Sequence, residues 1–553
     1  MLFFVTRLTL APAASRAAFL HVVGFFLLLS GLGFARGQEL GDEPPPTAEI
    51  QKAIEAQTPE SLMIREYRII GSRILPRADV ESAVYKFLGP GRSADDVEAA
   101  RAALEQAYRD KGYQTVSVSV PPQRPTRGIV VMQVTEAPVG RLRVTGSRYF
   151  DIERIKRMAP SLKEGTIPNF NDVQRDIIGL NQMGDRQVTP TLKAGVQPGT
   201  VDVELTVKDK FPLHGSIELN NRYSANTTPL RLDLSARYDN LWQLGHTIGF
   251  GFQVAPQRPS DALVYSAYYI ARYPGIDWVS FMLQGTRQNS EVSTLGGTAT
   301  AGNGEIYGFR FLFNLPSKTG FYHSASFGLD YKNFEQDLTL GGAIISSPIT
   351  YYPFSIGYNA TSIGKHYQTE FSGGVTFHFR GLGSSEVEFD NRRFEADGNF
   401  FYFRGSLSHT QKLGYDWELY ASTQGQASAT ALLDSEQFSL GGLTTVRGYL
   451  ESSVIGDSAL TGTLELRTPS LLKWMGEGNE LRLFAFLDGG FVTLNDTLPE
   501  QTSQFNLWSF GFGANIRLFD NLNGSVLVGI PQITQQPTEA GQPMLSFRIS
   551  ADL

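Results

Sequence analysis

The sequence predicts a closed, membrane-spanning antiparallel β-barrel of about 16 strands preceded by two small α+β domains. Three observations predict it. From Pro212 to Leu553, segments of about ten residues alternate apolar and polar side chains, the signature of transmembrane strands. Before that, one strand–helix–helix–strand–strand pattern occurs twice. The N-terminus carries a leader, yet no later apolar run is long enough for a helix to cross a bilayer. A membrane chain without such helices has to close its sheet, because hydrocarbon offers no partner to an open strand edge.

The leader comes first. Arg7 and Arg16 supply positive flanks to the apolar run Phe19 to Leu32, and Ala35-Arg36-Gly37 supplies small residues before Gln38. Residues 1–37 therefore read as a secretory signal peptide, with a retained anchor as the alternative. Residues 38–61 are a linker, stiffened by Pro44-Pro45-Pro46. Within it, Ala48 to Gln57 fits one short helix with Ile50 and Ile54 on one face. The 553 residues hold 48 Lys plus Arg against 55 Asp plus Glu, a net charge of −7. That balance excludes a basic nucleic-acid binder. Cysteine is absent, which excludes disulfides and thiolate metal sites.

The α+β domains are expected at 62–138 and 139–210. Ile69-Ile70-Gly71-Ser72-Arg73 in the first answers Val144-Thr145-Gly146-Ser147-Arg148 in the second, 75 positions on. In the first, Met63 to Ile70 reads as a strand and Arg77 to Phe87 as a helix. Ser93, with Asp96 three residues on, caps a second helix whose apolar face is Val97, Ala100, Leu104 and Ala107. Gly112 ends it. Thr115 to Val120 and Gly128 to Val134 are β-branched strands, and the second domain ends with Val201 to Val207. A small sheet of this kind leaves an edge free to pair with an extended peptide; a plain structural spacer is the alternative.

The barrel is expected from residue 211 to 553. Leu460, Gly462, Leu464 and Leu466 alternate with Thr461, Thr463, Glu465 and Arg467, and the last segment sets Leu545, Phe547, Ile549, Ala551 and Leu553 against Ser546, Arg548, Ser550 and Asp552. A soluble sandwich also alternates. Aromatic residues crowding strand ends, as at Tyr351-Tyr352 and Tyr415 to Trp417, favour a bilayer. The stretch Asp434 to Gly456 does not alternate, and a lumen-entering loop is expected over 431–457. Along Leu483 to Gly490, alternation turns Leu483, Ala485 and Leu487 toward lipid and Phe484, Phe486 and Asp488 toward the lumen.

These segments carry motifs. Val446-Arg447-Gly448-Tyr449 resembles the VRGY motif of the POTRA-containing outer-membrane superfamily, and Phe486-x-Asp488-x-Gly490 resembles its FxDxG strand. Asp185, Arg186 and Pro190, followed by Gly199 and Asp202, are similar to the second POTRA domain of the two-partner secretion transporters, the ShlB/FhaC/HecB group. Tyr238-Asp239-Asn240-Leu241-Trp242 is similar to that group's first hairpin. The resemblance covers nearly the whole mature chain.

It implies two periplasmic POTRA domains and an outer-membrane barrel that secretes a large haemolysin- or adhesin-like partner without ATP. The POTRA domains would recognise that partner, and the barrel assembly machinery would insert the chain into the lipid bilayer. A barrel-assembly insertase of the same superfamily is the alternative, and a solute porin or receptor a third reading. The resemblance further implies a loop folded into the lumen with Arg447 paired to Asp488, either as a lock that moves or as a static staple. A wet lumen would lower the cost of breaking that pair toward the exposed-pair value of about 1 kcal/mol or less. The short helix near Ile50 and Ile54 would be the plug helix; a plain linker is the alternative.

No enzyme signature is present. Gly364-Lys365 lacks the rest of a P-loop, and no GxSxG or HExxH occurs. His366 and Glu370, read as sharing a strand face, lack a third ligand nearby, so no metal and no cofactor is expected.

Overall fold

The computed structural model describes residues 62–553 apart from 125–126, 182, 274–277, 294–299, 336, 341–342, 347, 473, 475 and 477. The expected leader, linker and plug helix lie outside the described residues. The described chain forms two compact units, one ending at Phe211 and one starting at Pro212.

The first unit holds two α+β domains of one design. In the first domain, β1 (Leu62–Ile64), β2 (Glu66–Ile70), α1 (Arg77–Tyr85), β3 (Gly89–Arg92), α2 (Ala94–Asp110), β4 (Val116–Ser119) and β5 (Ile129–Glu136) follow in order. The second contains β6 (Val139–Thr145), α3 (Ile152–Arg157), α4 (Phe170–Leu180), β7 (Arg186–Ala194) and β8 (Val201–Asp209). Their sheets have matching order, β2-β5-β4 and β6-β8-β7, with the first strand parallel to the last in each. The helices bury Leu104 and Tyr108 on one sheet and Ile155 and Leu180 on the other.

The sequence repeat has a physical cause. After the first strand of each domain the chain turns at Gly71 or Gly146 with φ of +91° or +82°. A Cβ there would stand 2.3 Å from the Val134 carbonyl oxygen or 2.4 Å from that of Val207. A carboxylate at the end of the last strand then holds the turn. Glu136 accepts from Arg73 N and Ile74 N at 2.8 and 2.9 Å, and Asp209 accepts from Arg148 N and Tyr149 N, both at 2.8 Å.

Ser93 and Asp96 do form a capping box on α2. Three details differ from the sequence reading. The first strand breaks at Arg65, α1 stops at Tyr85, and Gly89–Arg92 pairs with β1 as an extra strand. That added pairing draws on Gly and Pro, which carry no strand signal.

The second unit is a closed barrel of 16 strands. Its elements in order are β9 (Leu213–Asn220), β10 (Arg231–Leu241), β11 (His246–Val254), β12 (Ala262–Arg272), β13 (Val279–Ser293), β14 (Thr300–Asn314) and β15 (Phe321–Glu335). The hairpin β16 (Asp337–Leu340) and β17 (Ala343–Ser346) comes next, then β18 (Ile349–Tyr351), β19 (Phe354–Ile363), β20 (Tyr367–His378), α5 (Glu386–Arg392), β21 (Phe400–Lys412) and β22 (Glu418–Ser428). Last come β23 (Phe438–Leu440), β24 (Val454–Gly456), β25 (Ser458–Arg467), β26 (Glu480–Thr493), β27 (Gln504–Leu518), β28 (Leu522–Pro531) and β29 (Met544–Asp552).

Both β18 and β19 pair with β15, so they are one strand interrupted near Pro353, which has no N–H for the ladder. The ring closes where β29 pairs with β9, from Arg548↔Asn220 to Asp552↔Ser216. The outer face is greasy: Leu460, Leu464, Phe512 and Val526 are exposed, as lipid-facing side chains are in a barrel seen without its bilayer. His366 is corrected: it lies in the turn before β20, not on a strand face with Glu370, and its carbonyl accepts from Lys412 N. Gly364, two residues earlier, already belongs to that turn.

Candidate functional site

Between β22 and β25 the chain does not simply turn. Residues 429–457 fold into the lumen, where β23 pairs with β24 and a tip of about a dozen residues projects beyond them. Val446, at 0% exposure, packs with Phe438, Leu440, Tyr449 and Val454 of the same loop, and with Val492 and Leu507 of the wall. This apolar cluster seats the loop, and the polar groups then fix its register.

Arg447 is the centre of that fixation. Its Nε lies 2.7 Å from Asp488 Oδ2 and its Nη2 2.9 Å from Asp488 Oδ1, a two-pronged contact. Its backbone N–H donates to Asp488 Oδ2 at 3.0 Å. The remaining prong, Nη1, reaches Glu465 Oε2 at 2.5 Å, and Glu465 also takes Arg467 Nε at 2.7 Å. Two cations thus face two carboxylates. The guanidinium also lies 3.7 Å from the centroid of the Phe486 ring, close enough for cation–π attraction. Ser509 Oγ donates to the Arg447 carbonyl.

Strand alternation supplies this geometry. Phe484, Phe486 and Asp488 point inward from β26 and are buried, while Leu483 and Leu487 are about half exposed on the outer wall. Gly490 faces Leu440 of the loop, and a Cβ there would come within 3.0 Å of Leu440 Cδ1. Gly448 adopts φ +89° and lies against Gly529 of β28, whose added Cβ would sit 2.6 Å from Gly448 Cα. Tyr449 reaches past them: its hydroxyl lies 2.9 Å from Ile533 O and 3.2 Å from Trp508 O and accepts from Ile533 N at 3.1 Å.

The expected wet lumen is corrected at this point. The side chains of Arg447 and Asp488 are 10% and 0% exposed, so the pair is buried among protein groups. Removing one partner of a buried pair costs roughly 3–5 kcal/mol, well above the exposed-pair value.

The other motif residues belong to the second α+β domain. Arg186 opens β7, buried, with Nε and Nη2 donating to Leu180 O at 3.0 and 2.7 Å and the guanidinium over Phe150. It therefore caps the C-terminus of α4, where cations are favoured. Burial, then the nearby Arg154, lowers its pKa to about 10, which leaves it charged at neutral pH. Asp185 precedes it, and its carbonyl accepts from Lys210 N at 2.8 Å. Pro190 sits on β7, an edge strand that tolerates it. Gly199 makes the β7–β8 turn at φ +78°, and Asp202 lies on β8.

Sequence reasoning missed several groups that hold the loop. Glu436 takes Lys332 Nζ at 2.5 Å and the hydroxyls of Tyr351 and Tyr402 at 2.7 Å each. Glu451 takes Arg222 Nε at 2.9 Å. Glu465, Ser509 and Gly529 complete the seat of Arg447 and Gly448. The one available signal was the acids Glu436 and Glu451 inside a stretch otherwise rich in apolar residues and glycine.

A closed barrel with a loop locked in its lumen, following two α+β domains of one design, defines an outer-membrane transporter of the POTRA-bearing class. The family described as haemolysin secretion/activation protein ShlB/FhaC/HecB matches residues 199–516, and the ShlB-type POTRA domain matches residues 62–137. The chain belongs to the ShlB/FhaC/HecB family and is an outer-membrane transporter of two-partner secretion with its POTRA domains in the periplasm.

Among curated relatives it is similar to the outer membrane transporter CdiB of Dickeya dadantii, 24% identical over 82% of this chain and 80% of the relative. It is also similar to CdiB of Escherichia coli, 24% identical over 84% and 78%. Among solved structures, CdiB from Escherichia coli superposes with TM-score 0.63 at 18% identity over 98% of this chain and 99% of that one. BamA from Haemophilus ducreyi lacking POTRA domains 1–3 gives TM-score 0.54 at 14% identity over 89% and 100%. At these identities the structural likeness concerns the fold alone.

Proposed function

We propose that the chain carries one large haemolysin- or adhesin-like exoprotein from periplasm to cell surface, without ATP and without enzymatic chemistry of its own. The observation that carries this reading is the loop fastened by Arg447 inside a closed barrel whose inner wall is lined with Ser, Thr, Gln and paired charges. Such a wall solvates an extended polypeptide without gripping it. The two POTRA domains recognise the partner. Each of their sheets has outer strands, β2 and β4 or β6 and β7, of the kind that takes up an extended peptide by strand addition. In this reading residues 1–37 are removed as a leader and residues 38–61 supply a plug helix. The barrel assembly machinery inserts residues 211–553 into the outer membrane.

Deleting residues 62–210 is expected to abolish export while the barrel still inserts. Export that survives the deletion refutes recognition by these domains. An insertase would instead need the β9–β29 seam to open, and that seam is paired here.

A further inference from the structure

At the end of the barrel where β9, β11 and β13 finish, inward side chains close against groups that the VRGY and FxDxG motifs do not include. Inward side chains at that end, among them Gln253, Val264, Gln288, Phe334, His378 and Val492, are 0–3% exposed. Nearer mid-height, Ser326, Asn359, Ser372 and Ser408 remain partly open.

The helix α5, in the connection between β20 and β21, supplies part of this closure. It buries Phe389 and leaves Val387 exposed. The Phe389 ring lies 5.9 Å from that of Tyr351 and 5.7 Å from that of His378. It joins a cluster with Leu432 and Leu433, the neck of the lumen loop.

A single carboxylate knits the parts together. Asp457 is wholly buried and accepts from Leu432 N at 2.9 Å, Gln437 Nε2 at 3.0 Å and Asn495 N at 2.7 Å. Arg393, just past α5, lies 3.5 Å from Asp457 and donates to Asn495 O at 2.8 Å. Three connections, from β20 to β21, from β22 to β25 and from β26 to β27, therefore meet at one acid. No strand ladder joins these connections to one another among the described residues. They can part without breaking the barrel wall.

We propose that Asp457, Arg393 and Phe389 form the outer gate of the export path. Asp457 is its positioning residue, and the gate opens when α5 lifts off the loop neck while Arg447 stays fastened to Asp488. Gate and lock share no residue, so each can open alone. The proposal rests on the reading that the lumen is the path.

The natural absence of cysteine makes the test direct. Ser408→Cys places one thiol on the lumen wall of β21. Intact cells receive a maleimide carried on a polymer too large for porins, and lysed cells receive the same reagent. With the gate intact, the thiol should react in lysates and stay protected in whole cells. Phe389→Ala and Asp457→Asn should each raise whole-cell labelling at least tenfold, with labelling in lysates unchanged. Arg393→Lys should stay nearer to the parent than Arg393→Gln. Folding is checked by heat-modifiable migration on gels, and the near-isosteric Asp457→Asn serves where Phe389→Ala fails to fold. Whole-cell labelling that stays flat in folded gate variants overturns the gate. A thiol unreactive in lysates both in the full chain and with residues 38–61 deleted overturns the lumen path itself, a different failure.

Discussion

Replacing Arg447 by Ala strips two buried carboxylates, Asp488 and Glu465, of their shared cation. At 1% and 5% exposure neither can turn to solvent while the loop stays docked. The expected loss is roughly 3–5 kcal/mol of docking free energy. That corresponds to a rise of about 150- to 4000-fold in the undocked population. Val446→Cys reports it, because this site is 0% exposed and labels only when the loop leaves its seat. Thiol labelling of Val446→Cys alone sets the reference, and adding Arg447→Ala should accelerate it by that factor. Arg447→Lys keeps the charge but loses the fork and should fall between. Adding Asp488→Ala to Arg447→Ala should cost less than the two single changes summed, because the contact is already gone. Labelling within twofold of the reference, in a barrel that still migrates as folded, would show that the apolar cluster around Val446 holds the loop and the ion pair does not.

Other expectations follow from contacts of similar definition. Gly529→Ala pushes a methyl against Gly448 and to 3.0 Å from the Arg447 carbonyl carbon, leaving the side chains of the ion pair unchanged in kind. Overpacking of about 1–3 kcal/mol should raise Val446→Cys labelling about 5- to 150-fold. Gly112→Ala acts at the junction of the two α+β domains, where Gly112 O accepts from Phe170 N at 2.8 Å and an added Cβ would meet Asn169 Oδ1 at 2.5 Å. Its φ of +94° adds a cost of about 1–2 kcal/mol, so the Phe170 amide should exchange roughly 5–30-fold faster. Tyr108 predicts an alkaline effect. Burial, reinforced by the Glu136 carboxylate, pushes its hydroxyl from 10.0 up to about 12. The neutral form is the one the fold prefers, so this contribution is complete below pH 10 and disappears as pH rises through 12. Thermal melts across that range should show the loss in the parent and a flatter profile in Tyr108→Phe.

Local rules and long-range packing divide what the sequence discloses about this chain. Strand alternation is local, so Phe484, Phe486 and Asp488 could be turned inward from their own neighbours. The capping box at Ser93 needs only Asp96, three residues away. The Arg447–Asp488 pairing was available only through family resemblance, because nothing local links positions 41 residues apart. The remaining partners had no such guide. Lys332 reaches Glu436 across 104 residues and Arg222 reaches Glu451 across 229, and each choice is set by barrel curvature and register.

The Gly448–Gly529 contact was equally hidden. A glycine on a strand reads as weakness until another backbone is found lying on it. The expectation of a wet setting for the Arg447–Asp488 pair failed for the same reason, since exposure there depends on how tightly the loop packs on the wall, which alternation does not encode. The buried seat changes the energetic argument. A solvent-exposed pair could open with thermal motion, whereas this one needs compensation of several kcal/mol before the loop can leave. The proposed export without ATP leaves few sources for that, so transport that proceeds beside a docked loop demands less than transport that expels it.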